Sequence, residues 1–136
     1  MDKMKIMLVD DEKRYLSTTS RLLERKGYDA VTASSGTEAL AKLESSSIHV
    51  VILDEKIPGM DGMEILQVIK RDFPLVEVIM LTGHGTLESA VDGLKAGAAD
   101  YLVKPTDIDE LIKKAEEAFD KRLRVEEKIR MARSRK

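Results

Sequence analysis

The sequence predicts an α/β domain of the (βα)5 type: a doubly wound, five-stranded parallel sheet with helices on both faces. Three observations predict it. Five short apolar runs are continuous rather than alternating, and are rich in Val and Ile, as suits strands covered on both faces. Between them lie stretches whose apolar residues recur at helical spacing. Helix-start and helix-stop signals separate the two kinds of segment. Alternation with short connections calls for right-handed crossovers and hence a parallel sheet.

The elements run in order along the chain. Ile6-Met7-Leu8-Val9 is the first run, and Leu16, Thr19, Leu22 and Leu23 then share a helical face. Gly27, after Arg25-Lys26, can take the left-handed conformation that ends a helix. Ala30-Val31-Thr32-Ala33 is the second run, followed by a short, weak stripe of Ala39, Leu40 and Leu43. Val50-Val51-Ile52-Leu53 is the most apolar run, so it is assigned to the sheet centre; its helix carries Leu66, Ile69 and Phe73. Val78-Ile79-Met80-Leu81 precedes a helix whose face is Ala90, Val91 and Leu94, closed by Gly97. Tyr101-Leu102-Val103 precedes Ile108, Leu111, Ile112 and Ala115. Ser35, Asp61 and Asp107 each stand three residues before a Glu and offer capping acceptors to a helix start. The last helix is read as 107 to about 130, its stripe thinning after Phe119 to Leu123, Val125 and Ile129 among charges.

Length and composition narrow the classes. At 136 residues the chain fits one domain. It has no cysteine, which removes disulfides, thiolate metal sites and cysteine nucleophiles. With 43% hydrophobic and 35% charged residues the balance is globular. No apolar run approaches the roughly 20 residues that span a bilayer, and no secretory signal opens the chain, so no membrane contact and a cytoplasmic setting are expected. The net charge of -2 argues against direct nucleic-acid binding by this domain. The charge is uneven: residues 1–119 carry 15 basic and 22 acidic side chains, whereas residues 120–136 carry eight basic and three acidic. The expected division is a body at 1–119 and a basic extension of the fifth helix at 120–136, serving as linker or tail.

Function is read from the polar residues that close each run. The first ends in Asp10-Asp11, the third in Asp54, the fourth in Thr82 and the fifth in Lys104-Pro105. In an open parallel sheet the carboxyl ends of the strands lie on one edge, where ligands bind. Three carboxylates, a hydroxyl and an ammonium are thus delivered together. Carboxylates so placed repel unless a cation relieves them, and oxygen donors select a hard ion such as Mg²⁺. The set suits a phosphoryl group: Asp54 as nucleophile, Lys104 and Thr82 on the phosphoryl oxygens, and Asp10 and Asp11 holding a metal with its water shell.

At Leu8-Val9-Asp10-Asp11-Glu12, Leu53-Asp54-Glu55-Lys56-Ile57-Pro58-Gly59-Met60-Asp61-Gly62, Leu81-Thr82-Gly83 and Asp100-Tyr101-Leu102-Val103-Lys104-Pro105, the chain closely resembles the receiver domain of two-component response regulators. The resemblance implies a flavodoxin-like sheet in strand order 2-1-3-4-5 and a phosphorylation-activated switch rather than an enzyme. It implies that Asp54 takes its phosphoryl from a phosphohistidine on a sensor histidine kinase. It assigns Asp11, Asp54 and the Lys56 backbone carbonyl to Mg²⁺, Asp10 to the metal through water, and Thr82 and Lys104 to the phosphoryl oxygens. It further implies a cis Lys104–Pro105 peptide, a loop shaped by Pro58-Gly59, and a switch in which Tyr101 turns into space vacated by Thr82. The face of helix four, strand five and helix five would then change shape, with homodimerisation through that face or through the extended helix five.

Lys56 is a candidate screen against phosphoryl hydrolysis, Gly83 leaves room for a phosphodonor, and His84 is read as a solvated loop residue. With His49 as the only other histidine, a histidine metal site has no support. Two alternatives compete with the receiver reading. A phosphatase with an aspartyl-phosphate intermediate needs a carboxylate two residues after its nucleophile, where this chain has Lys56. A flavodoxin-like cofactor binder lacks both G-x-G-x-x-G and the P-loop.

Overall fold

A computed structural model describes residues 3–83 and 85–135. Five strands and five helices alternate strictly: β1 Lys5–Val9, α1 Lys13–Arg25, β2 Asp29–Ala33, α2 Gly36–Ser45, β3 Val50–Asp54, α3 Gly62–Asp72, β4 Glu77–Thr82, α4 Leu87–Lys95, β5 Asp100–Val103 and α5 Ile108–Ser134. All strand pairs are parallel, in the order β2-β1-β3-β4-β5, so β3 is central as its apolarity predicts.

Successive side chains of a strand point to opposite faces. Met7, Val9, Val51, Leu53, Val78 and Met80 therefore meet α2 and α3 on one face. Ile6, Leu8, Val50, Ile52, Ile79 and Leu81 meet α1 and α5 on the other. Ser35 caps α2 by accepting the Glu38 N–H, and Asp107 caps α5 by accepting the Glu110 N–H. Asp61 caps α3 through Met63 N–H rather than Glu64. Gly27 and Gly97 have φ of 91° and 109°, as their stop positions predict.

Three elements depart from the sequence reading. In α4 only Gly93 is buried; Val91 and Leu94 are 39% and 48% exposed, and Leu87 is 84% exposed. Its apolar stripe is real but the described residues leave it uncovered: the helix lies against Met80 of β4 and Tyr101 of β5 through Gly93, and the stripe points away. Leu22 likewise lies at the rim of α1, 36% exposed. Helix α5 runs on to Ser134 rather than to about 130. Its last turns are built mostly from Glu, Lys, Arg, Met and Ala, which are strong helix formers.

Helix α5 is tied to the sheet's other rim, where the strands begin. Arg122 donates to the Ile48 carbonyl at 3.0 Å, and Lys121 pairs with Glu77 at 3.7 Å. Phe119 meets the His49 ring edge-on, with centroids 5.1 Å apart. Beyond this clasp the helix carries exposed Leu123, Val125, Ile129 and Met131.

Candidate phosphoacceptor site

The five side chains that the sequence assigns to one edge arise at the carboxyl ends of β1, β3, β4 and β5. Asp10, Asp11 and Asp54 bring carboxylate oxygens within 4.8 Å of one another. Asp10 is buried, Asp54 is half-buried and Asp11 faces solvent. Lys104 donates to Asp10 at 2.6 Å. Thr82 is buried and lies one residue beyond Leu81, the register partner of Asp54; its carbonyl accepts the Lys104 N–H at 2.7 Å.

Local backbone geometry makes this arrangement. The Asp10 carboxylate accepts the Glu12 N–H at 2.9 Å, which turns the chain from β1 into α1 and aims Asp11 outward. The Asp54 carboxylate accepts the Lys56 N–H at 3.3 Å, a long bond that starts the loop after β3. That loop folds back so closely that a Cβ on Gly62 would stand 2.6 Å from the Glu55 carbonyl oxygen and 2.7 Å from that of Asp54. Only glycine fits there. Gly59 turns the loop with φ 86°, beside Pro58 as expected. Lys104–Pro105 is cis.

The electrostatics are those of an anionic cradle with one resident cation. Burial and the neighbouring Asp10, with a smaller push from Asp11, raise the Asp54 carboxyl from 3.8 to about 6, against the pull of the Lys56 N–H and Lys104. Burial draws the Lys104 ammonium down. The hydrogen bond and charge of Asp10, with Asp54, more than offset this and leave it above the ordinary lysine value. Three hard oxygen donors and a half-satisfied negative charge fit a divalent cation of the Mg²⁺ type.

Tyr101 sits beside this cradle, packed on the core with its hydroxyl 2.7 Å from the Ser89 hydroxyl and donating to Glu55 at 3.1 Å. Burial chiefly raises its phenol; hydrogen bonds from Ser89 and Thr82 lower it and Glu55 raises it. The sequence reading singles out Tyr101 by its position in the motif, but no sequence signal points to Ser89 or Glu55, which lie 12 and 46 residues away. Sequence reasoning also missed Tyr15, whose ring lies under the Lys104 ammonium, 4.4 Å from ring centre to nitrogen. Lys56 and Gly83 border the site on exposed loops, and a Cβ at Gly83 would meet nothing within 4 Å. His84 lies outside the described residues. His49 is on the opposite rim, where its Nδ1 accepts the Lys5 N–H at 3.0 Å.

A doubly wound parallel α/β sheet that gathers three carboxylates and a lysine at its carboxyl edge defines a class of domains with an acidic site at that edge, of a chemistry that fits a divalent cation. The comparisons with known proteins make this specific. The model of the response regulator receiver domain matches residues 6–116, and the chain belongs to that family. It is 40% identical over 114 residues to a putative NtrX-like response regulator of Rickettsia bellii, covering 82% of this chain and 24% of that protein. It is 39% identical over 114 residues to the DNA-binding transcriptional regulator NtrC of Salmonella typhimurium, covering 84% and 24%. It is similar in structure to a CheY-like receiver domain protein of Methanospirillum hungatei, with TM-score 0.85 and 34% identity over 90% of this chain and 98% of that one. The chain thus spans about a quarter of the length of these curated relatives. Neither the phosphatase nor the cofactor-binder alternative finds support among these matches.

Proposed function

We propose that this receiver accepts a phosphoryl group on Asp54 from a phosphohistidine of a sensor histidine kinase, and that the modification resets the α4–β5–α5 face. The observation that carries the reading is the gathering of Asp10, Asp11 and Asp54 within 4.8 Å, with Lys104 as counter-ion, at the end of the central strand. An Asp54 oxygen attacks phosphorus, the phosphorus–nitrogen bond breaks, and the imidazole leaves with the electron pair and takes up a proton. Lys104 and Thr82 donate to the phosphoryl oxygens as charge shifts onto them.

Asp11, Asp54 and the Lys56 carbonyl are the ligands proposed for Mg²⁺, with Asp10 acting through water. When bound, the ion would neutralise charge on the carboxylates and the phosphoryl oxygens. The chain's own task is to keep Asp54 ionised and aimed. With its carboxyl near 6, Asp54 is mostly charged at neutral pH and becomes protonated, hence unreactive, in mild acid.

The switch is proposed to run through Thr82 and Tyr101. A phosphoryl oxygen recruits Thr82, changes the hydrogen bonding of the Tyr101 hydroxyl and so biases α4, a population shift rather than a new fold. The exposed Leu87, Val91 and Leu94 of α4 and Val103 of β5 supply the surface that a partner, an output domain or a second copy would cover. The name of the Salmonella relative suggests DNA-directed output from a further domain of the whole protein. In this reading the receiver is a cytoplasmic phosphoacceptor switch with no separate substrate. Among the described residues no helix is long and apolar enough to cross a membrane. The basic segment 120–136 continues α5 as a linker or tail, and is a second candidate for self-pairing.

Acetyl phosphate with Mg²⁺, followed by intact mass, tests the site. Wild type should gain one phosphoryl group and Asp54→Asn none. Equal phosphorylation of Asp54→Asn refutes the assignment. Sedimentation with and without beryllofluoride tests self-association; an unchanged monomer in both refutes that part.

A further inference from the structure

We propose that Tyr15 is a positioning residue for the Lys104 ammonium, its ring face holding that cation at the phosphoryl position once the metal site is filled. The inference rests on the phosphoacceptor reading above, and adds a residue from the first turn of α1. Lys104 Nζ is 4.4 Å from the centre of the Tyr15 ring, inside the range of cation–π attraction. The side chain of Lys104 is 24% exposed, so the contact is largely shielded from solvent.

The ring has contacts of its own, apart from the lysine. It packs against the core cluster between the sheet and helices α1 and α5. Its phenol is hydrogen-bonded by Thr19 one turn further along, which opposes the rise that burial imposes on it. The platform beneath the lysine is therefore built from core and helix, and does not depend on the lysine.

The need for a second anchor comes from Asp10. The ammonium has three N–H groups, and the strong acceptor it finds among the described residues is the Asp10 carboxylate at 2.6 Å. That carboxylate also accepts the Glu12 N–H and belongs to the cluster assigned to the divalent cation. A cation there draws on the negative charge of Asp10 and repels the ammonium. The salt bridge is weakest in the loaded state, when Lys104 must meet the phosphoryl oxygens. The attraction to the Tyr15 face does not draw on a carboxylate, so it persists. It also leaves the remaining N–H groups free to turn toward Asp54.

Two measurements test this on Tyr15→Leu and Tyr15→Phe, with Tyr15→Met in place of Leu if that variant fails to fold. The first is a brief pulse of limiting amine-acylating reagent on metal-free protein, read lysine by lysine by peptide mass. Lys104 should react severalfold faster in Tyr15→Leu than in wild type and unchanged in Tyr15→Phe, while the other lysines stay constant. The second is beryllofluoride titration with Mg²⁺, followed by backbone amide NMR. The half-saturating concentration should rise about fivefold in Tyr15→Leu, within the span of cation–π energies, with the end-point spectrum kept and Tyr15→Phe at the wild-type value. In a Lys104→Ala background, Tyr15→Leu should add nothing.

Wild-type labelling and half-saturation in Tyr15→Leu overturns the proposal. So does a Tyr15→Phe variant as impaired as Tyr15→Leu, which would assign the effect to the phenol. If wild type itself fails to bind beryllofluoride, the phosphoacceptor reading fails, while the labelling arm still decides the Tyr15–Lys104 contact.

Discussion

Replacing Asp54 by Asn should stabilise the metal-free protein at neutral pH. The carboxyl is raised from 3.8 to about 6 by burial and by Asp10, so ionising it in the folded state is unfavourable. Two units at about 1.36 kcal/mol each set an upper limit of roughly 3 kcal/mol. Asp54 is only half-buried, and solvent screening reduces this to about 1–2 kcal/mol. The sign comes from linkage: between the unfolded and folded values the native state binds the extra proton, so wild-type stability falls as pH rises from about 4 through 6 and the loss is complete above 7. The gain in Asp54→Asn is therefore largest near pH 7.5 and shrinks to about a third of that at pH 4.5. Mg²⁺ should reverse the order, because it stabilises the wild type by mass action and the variant far less. Urea unfolding in EDTA at the two pH values, then with Mg²⁺ at pH 7.5, measures all three. Equal stabilities at pH 7.5 in EDTA, or a gain as large at pH 4.5, would refute the account of the site as a strained anionic cradle.

Three further outcomes rest on the same geometry. Lys104→Met leaves buried Asp10 without its cation and should lower stability by about 1–3 kcal/mol in thermal melts, the loss fading as Mg²⁺ is added. Gly62→Ala puts a methyl 2.6 Å from the Glu55 carbonyl oxygen and should cost about 1–3 kcal/mol by forcing the α3 start away from β3; unchanged urea unfolding contradicts it. Arg122→Ala removes the bond to the Ile48 carbonyl, so amide exchange after residue 123 should accelerate severalfold while the sheet amides stay as slow as in wild type.

The sheet and its acidic edge are legible in the sequence because backbone geometry does the gathering. Once Val50–Leu53 and its neighbours are parallel strands, Asp10, Asp54, Thr82 and Lys104 have nowhere to stand except one rim. Contacts made by side chains across long sequence separations are not legible. The Tyr15 ring under Lys104 spans 89 positions, and its spacing in α1 matches that of any core aromatic. Glu55 and Ser89 look like an exposed loop residue and a helix-start serine until Tyr101 joins them. The stripe on α4 is apolar as its spacing predicts but is not covered, since periodicity tells which residues share a face and not whether anything lies against it.

The clasp between α5 and the sheet's far rim has a mechanical result. From Arg122, which bonds the Ile48 carbonyl, to Ser134 the helix runs on for about 18 Å, at 1.5 Å per residue. A rigid rod pivoting at such a fulcrum enlarges motion in proportion to its reach: a 10° tilt at the clasp would carry the tip by about 3 Å. A rearrangement too small to notice at the rim of the sheet thus leaves the distal turns of the helix displaced by the width of an atom.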